Sequence, residues 1–223
     1  MKIASIAITH RCNERCFYCE QPRDGREMSL ARFEEVLTLA QAEGCTALAL
    51  GGGEPTQHSH LEELLRLGRE KGFLLTLTTN ARDPAMVRGL LKKGLLDGCG
   101  VSVGKGRWQE LAALPQTTAN ILLLRGRLRQ ALVDVLAAWQ AGFHRLLLLA
   151  YKGRNKELVP SGEELAGLFA LVGAWAEGNE VVVGADLYTY RRLGLRNSCG
   201  NSFLRFDLDG RRHKCCFAAC EFY

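Results

Sequence analysis

Apolar residues in this chain recur with two periods that take turns. Ile3-Ala4-Ser5-Ile6-Ala7-Ile8-Thr9 is β-branched and apolar over the length of a strand. Ser29 to Glu43 then places Leu30, Phe33, Val36, Leu37 and Ala40 on one helical face, and Gly44 ends it. The exchange repeats along the chain. Apolar runs at Ala47 to Leu50, Phe73 to Thr78, Cys99 to Val103, Asn120 to Leu124 and Arg145 to Ala150 predict strands. Between them, a Ser59/Glu62 capping box opens a helix that stops at Gly72, and Asp83-Pro84 opens another that closes at Gly94. A short helix is predicted around Trp108 to Leu114. A longer one covers Leu128 to Ala141, with Leu128, Leu132, Val135, Leu136 and Trp139 on one side. A second capping box, Ser161 with Glu164, begins a helix ending at Gly178, and the apolar run Val181-Val182-Val183 follows.

Strands alternating with helices at this spacing imply βα units and a parallel sheet, hence an α/β fold. Near the end, Phe203 to Leu208 and Arg211 to Cys215 flank Asp209-Gly210, which predicts a β-hairpin. The length of 223 residues fits one domain with at most a small appendage. Apolar content of 47% and charged content of 24% are ordinary for a globular protein. The net charge of +5 permits an anionic substrate or an acidic peptide, but the cations are spread out, so nucleic acid is not indicated. The first apolar run is too short for a signal peptide and no run has transmembrane length, so a cytoplasmic protein without a membrane partner is expected.

The cysteines change this picture. Seven of the nine fall in two local groups, which favours metal binding over scattered core thiols. Cys45 and Cys99, the other two, read as small buried hydrophobes. The first group, Cys12, Cys16 and Cys19, has C-x3-C-x2-C spacing in a loop just past the first strand. Three thiolates leave a four-iron cubane one ligand short, so one iron stays open to a small molecule. A zinc site would need a fourth local ligand, and His10 is the only near candidate. The second strand runs into Gly51-Gly52-Gly53-Glu54-Pro55, where glycines allow close backbone approach and a carboxylate can receive an ammonium. Taken by itself, that run is equally a plain β-to-α turn.

CNERCFYC followed by GGEP resembles the signature of the radical SAM (S-adenosylmethionine) enzymes. The resemblance implies a partial, open (βα)6 barrel of TIM type, with chemistry at the C-terminal strand ends. It implies that Cys12, Cys16 and Cys19 hold a [4Fe–4S] cluster whose open iron binds S-adenosylmethionine. One electron then cleaves the sulfonium to give a 5′-deoxyadenosyl radical. By the same resemblance Tyr18 lies beside the adenine, and Gly52, Gly53, Glu54 and Pro55 hold the amino group. Thr79, Asn80, Ser102 and Asn120 lie where the family contacts the ribose or carboxylate, though each also reads as an ordinary turn or strand polar group. Tyr151-Lys152-Gly153-Arg154 is expected either to meet the adenine or a substrate anion or to be a solvated basic loop.

The second group is Cys199, Cys215, Cys216 and Cys220. The hairpin would bring Cys199 and Cys215 near each other. Cys199, Gly210 and Cys215 resemble the start of the SPASM/twitch extension, which implies one auxiliary [4Fe–4S] cluster, with zinc or free thiols as the alternatives. Arg205, Arg211, Arg212 and Lys214 would offset its charge. The expected division is a barrel over residues 1–186 and a cysteine-rich hairpin extension over 187–223. A flavodoxin- or ferredoxin-type reductant is implied. The extension favours a peptide substrate, modified or crosslinked. Because the first strand begins at Ile3, recognition would need a separate partner or an open barrel mouth. The chain's compactness favours a sugar or nucleotide substrate instead. A non-catalytic metal or electron-transfer protein is the remaining reading.

Overall fold

The computed structural model describes residues 1–195 and 203–215. Strand β1 (Ile3–Thr9) is followed by helix α1 (Leu30–Ala42), β2 (Ala47–Gly52), α2 (Leu61–Glu70), β3 (Leu74–Thr79), α3 (Pro84–Lys92) and β4 (Gly98–Ser102). Then come β5 (Thr117–Leu123), α4 (Leu128–Gln140), β6 (Arg145–Ala150), α5 (Gly162–Glu177), β7 (Val182–Ala185) and α6 (Leu187–Arg192). Strands β8 (Phe203–Phe206) and β9 (Arg212–His213) complete the described chain. All nine strands form one sheet in the order β7-β6-β5-β4-β3-β2-β1-β8-β9. Every pair is parallel except β8 with β9. The α/β expectation therefore holds, with a mostly parallel sheet consistent with a partial TIM-like barrel.

The last two strands do more than hang from the barrel. β8 adds parallel to the far edge of β1, Ser5 opposite Arg205 and Ile6 opposite Phe206. Leu204 and Phe206 thereby join the same core as β1 and α1. β9 folds back on β8 across a turn in which Gly210 takes a positive φ of 79°. The conformation suits glycine, as the Asp-Gly dipeptide predicted.

One sheet face carries Leu48, Leu75, Val101, Ile121 and Leu148, which pack with the helices into a single core. Because side chains alternate along a strand, the opposite face takes the residues between them. That face carries Ser5, Thr76, Thr78, Ser102, Thr118 and Asn120, with bare backbone at Gly51, Gly98 and Gly100. Small and hydroxylated residues leave it open and polar over β1 to β4, while Leu122, Leu147 and Leu149 make it apolar toward β5 and β6.

Several local expectations need correction. Ser59 does not cap α2. His60 occupies the N-cap position with no side-chain bond, while Ser59 donates both its N–H and its hydroxyl to Glu27. A carboxylate from a distant loop accepts the Ser59 N–H that a capping box would give to Glu62, and holds the hydroxyl as well. The Ser161/Glu164 box does form, in both directions. On α4 Ala131, Val135 and Ala138 are buried and Leu128, Leu132 and Trp139 pack partly buried against the core, so of the expected stripe only Leu136 is exposed. The predicted short helix around Trp108 is a 3-10 turn over Trp108–Leu111, and β5 begins three residues earlier than its apolar run.

Candidate active site

The cysteine loop leaves β1 at Thr9 and returns at Glu27, and its two ends are zipped together. Thr9 bridges Glu27, His10 N–H donates to Arg26 O, and Met28 N–H donates to Ile8 O. Below this stem His58 is buried and its tautomer is set by its partners. Its Nε2 donates to Met28 O at 2.9 Å and its Nδ1 accepts the His60 N–H at 3.0 Å. A proton on Nδ1 would face a donor, and burial lowers the His58 pKa further.

The glycines of the GGGEP run serve this loop directly. A side-chain carbon on Gly52 would stand 2.3 Å from Thr9 O, and one on Gly53 2.0 Å from Arg11 O. Gly53 N–H and Glu54 N–H donate to those same carbonyls, Thr9 O at 2.7 Å and Arg11 O at 2.8 Å. The β2 loop thus carries the root of the cysteine loop on its backbone, an approach only glycine permits.

Glu54 lies beneath, 2% exposed. One carboxylate oxygen accepts from Thr56 Oγ1 at 2.9 Å, Thr56 N–H at 3.3 Å and Thr79 Oγ1 at 2.8 Å. The other accepts from Asn80 N–H at 2.7 Å. Burial raises its pKa, and these donors oppose the rise. Pro55 starts a buried 3-10 turn that aims Thr56 at the carboxylate. Asn80 continues outward, its Nδ2 donating to Asn13 Oδ1 at 2.8 Å, and Arg82 pairs with Glu14 at 2.6 Å. So Glu54, Thr79 and Asn80 tie β2 and β3 to the first half of the cysteine loop.

The second half docks across the sheet. Tyr18 packs with Leu122, Leu124, Tyr151 and Val159. Glu20 accepts from Tyr151 OH at 3.0 Å and from Arg154 N–H. A side-chain carbon on Gly153 would meet Tyr151 OH and Glu20. The stretch Tyr151 to Arg154 is therefore a dock for the cysteine loop and not a solvated basic loop. Tyr151 is buried and Lys152 pairs with Asp186 at 2.7 Å. Sequence reading missed Asn13, Glu20 and Asp186 as contributors, since each matters through a partner distant in the chain. Lys105 stands 5.4 Å over the Tyr18 ring and Arg127 4.8 Å over the Phe17 ring.

Cys12, Cys16 and Cys19 are free thiols on this loop, and Cys19 N–H donates to Cys16 O at 3.0 Å. Burial chiefly raises the Cys12 pKa, with Glu54 adding to it and Arg23 and a backbone bond at Glu14 opposing. Burial, then the Cys16 thiol, pushes the Tyr18 phenol up. Among the described residues, no three metal-type side chains converge on one ion. A cubane does not require that, because each thiolate takes a different iron. Three thiols on one loop anchored at both sides fit such a cluster. Cys45 and Cys99 are buried, as expected of small hydrophobes.

Ser102 and Asn120 are register partners on β4 and β5, on the sheet face away from the helices. Asn120 Oδ1 is buried without a hydrogen-bond partner, although such atoms are nearly always satisfied. This acceptor, beside Ser102 and the bare Gly100, fits a polar ligand such as S-adenosylmethionine. Of the second cysteine group Cys215 is described, half-buried, while Cys199, Cys216 and Cys220 lie outside the described residues. Among the described residues no helix is long and apolar enough to cross a membrane.

The radical SAM superfamily model matches residues 6–104. The chain is 35% identical over 101 residues to a probable GTP 3′,8-cyclase of Pyrococcus abyssi, covering 44% of this chain and 33% of that protein. It is 36% identical over 80 residues to the PqqA peptide cyclase of Rhodopseudomonas palustris, covering 34% of this chain and 21% of that one. Both matches span well under half of those relatives. The fold resembles Streptococcus suis SuiB bound to its precursor peptide SuiA, with a TM-score of 0.77, 17% identity, and coverage of 96% of this chain and 59% of SuiB. It also resembles anSMEcpe with bound AdoMet and a peptide, with a TM-score of 0.65, 16% identity, and coverage of 99% and 74%. The matched segment holds the cysteine loop, its glycine bed and the Glu54 network, so it is over this part of the chain that the likeness to the radical SAM superfamily lies.

Proposed function

We propose that the chain is an enzyme that cleaves S-adenosylmethionine reductively and modifies or crosslinks a peptide. The observation that carries this reading is the cysteine loop clamped at both ends over an open polar sheet face. Cys12, Cys16 and Cys19 would hold the [4Fe–4S] cluster. Ser102 and Asn120 would meet S-adenosylmethionine on the polar face, with the Tyr18 ring against its adenine. When bound, cluster and cofactor together supply a carbon radical able to take hydrogen from an unactivated C–H bond. The chain's own part is to fix the loop through Asn13, Glu14 and Glu20, and to exclude water on one side with Tyr18, Leu122, Leu124 and Tyr151. Cys215, with Cys199, Cys216 and Cys220, is proposed to hold an auxiliary cluster, and a flavodoxin- or ferredoxin-type protein to deliver electrons in the cytoplasm.

The peptide is favoured by the fold shared with peptide-bound SuiB and by the likeness to the PqqA peptide cyclase. The likeness to a probable GTP cyclase favours a nucleotide as the second reading. Anaerobic reconstitution with iron tests the proposal through 5′-deoxyadenosine formed with reductant. About four irons per chain mean one cluster and about eight mean two. Iron bound without 5′-deoxyadenosine would instead mark a non-catalytic metal protein.

A further inference from the structure

Two neighbouring rings on the cysteine loop are placed differently. Tyr18 packs among Leu122, Leu124, Tyr151 and Val159, whereas Phe17, edge-on to it at 5.3 Å, is 63% exposed. A lone exposed apolar side chain is ordinary. The surroundings set this one apart. Arg127 lies 4.8 Å over the Phe17 ring, and Arg15 precedes it by two residues. Arg129 follows Arg127 by two, and Lys105 stands over Tyr18. Arg15, Arg127 and Arg129 are exposed, and none of these four cations has an ion pair among the described residues.

The missing pairs are a local feature. Surface cations elsewhere are commonly matched, as Arg66 is by Glu62, Arg69 by Asp97 and Arg88 by Glu110. The carboxylates of the cysteine loop itself are committed to other partners, Glu14 to Arg82 and Glu20 to Tyr151 and Arg154. Two of the arginines also stand where a helix disfavours them. Arg127 is the N-cap of α4 and Arg129 is in its first turn, which holds no acid, whereas α2 and α5 open on Glu62-Glu63 and Glu163-Glu164. Cations at that end oppose the helix dipole. Helix stability therefore does not account for them, and together they raise the positive potential around Phe17.

We propose that Phe17, with Arg15, Arg127 and Arg129 around it, is the docking surface for an acidic electron-carrier protein. The inference rests on the enzyme reading above and gives its reductant a place to bind and a sign of charge. Electron transfer weakens steeply with distance, so a carrier must seat close to the loop that bears the cysteines. There the carrier is oxidised by one electron and the cluster is reduced by one, with no bond made or broken. An apolar centre supplies contact, and a rim of unpaired cations steers an acidic partner onto it.

The test uses the full, anaerobically reconstituted chain and an acidic flavodoxin. Calorimetry with the oxidised flavodoxin reads binding, and bleaching of the cluster's visible absorbance by the reduced flavodoxin reads electron delivery. Wild type binds, and added salt weakens the binding. R127E/R129E raises Kd about tenfold and slows reduction by low concentrations of flavodoxin to a similar degree. Reduction by methyl viologen radical, a small cationic dye that needs no dock, is not slowed. F17A raises Kd about tenfold with iron content unchanged. K92E/K93E makes the same change in net charge at the end of α3 that leads into β4, away from the strand ends that carry the cysteine loop, and leaves Kd at the wild-type value. No binding by wild type, wild-type affinity in R127E/R129E, or an equal loss in K92E/K93E overturns the proposal. Should F17A lose iron, or R127E/R129E fail to fold in a melting scan, R129E alone decides by the same criterion. Absence of 5′-deoxyadenosine from wild type reduced by the dye would sink the enzyme reading and leave the binding result standing, so the two failures are separable.

Discussion

Glu54 shows how much the bed of this site depends on a single carboxylate. Four donors from Thr56, Thr79 and Asn80 converge on it in a buried setting. Truncation to Ala strands those donors and is expected to cost about 3 kcal/mol or more in urea unfolding. Its position was legible in the GGGEP run, but its partners were not, because Thr79 and Asn80 come from the next strand. The glycines were likewise legible as a close approach, yet what approaches Gly52 and Gly53 is the protein's own backbone at Thr9 and Arg11. His58 carries a pH signature. Its pKa is lowered from 6.5 by burial, so in the window just below 6.5 the unfolded chain binds more protons. Stability is then full above 6.5 and falls as pH falls toward the lowered value. A urea midpoint that declines between about pH 7 and 5.5, with a shallower decline in H58Q, is the expected result. The raised pKa of Glu54 acts with the opposite sign, adding stability below 4.5 that is lost as pH rises through its folded value.

Among the elements, the cysteine loop is the one whose placement matters most, and it is fastened at separate strand ends. Tyr151→Phe removes the hydroxyl bond to Glu20 and is expected to cost about 1 kcal/mol. Its sharper effect is local, namely faster trypsin cleavage at Arg15 and Arg23 with little change in the global melting temperature. Equal protection in the variant would show that the Glu20 dock does not restrain the loop. Helix starts were legible where the cap was local. Asp83 accepts from Met86 N–H and Ser161 from Glu164 N–H, both as the sequence indicates. Ser59 failed because Glu27, on a loop 32 residues away, takes its donors. On α4 the large apolar residues marked the core side apart from Leu136, but not the small Ala131 and Ala138, which are buried more deeply than most of them.

Across the whole molecule, the parallel βα order was readable from periodicity, while the pairing of β8 with β1 was not. Nothing near Phe203 in the sequence encodes a partner two hundred residues earlier. That pairing brings Arg205 and Cys215 to the cysteine-loop side of the sheet and makes a cleft between them. The signature cysteines, by contrast, were legible as a spacing, and the structure supplies the scaffold that holds them. The central claim is that this scaffold makes Cys12, Cys16 and Cys19 a working cluster site. It is tested most directly by 5′-deoxyadenosine yield, with reductant and S-adenosylmethionine, from wild type and the Cys12→Ala/Cys16→Ala/Cys19→Ala variant reconstituted side by side. The account predicts product from wild type, a fall of at least a hundredfold in the variant, on the order of losing every cluster ligand, and about four fewer irons per chain. Product at the wild-type level from the variant would contradict it.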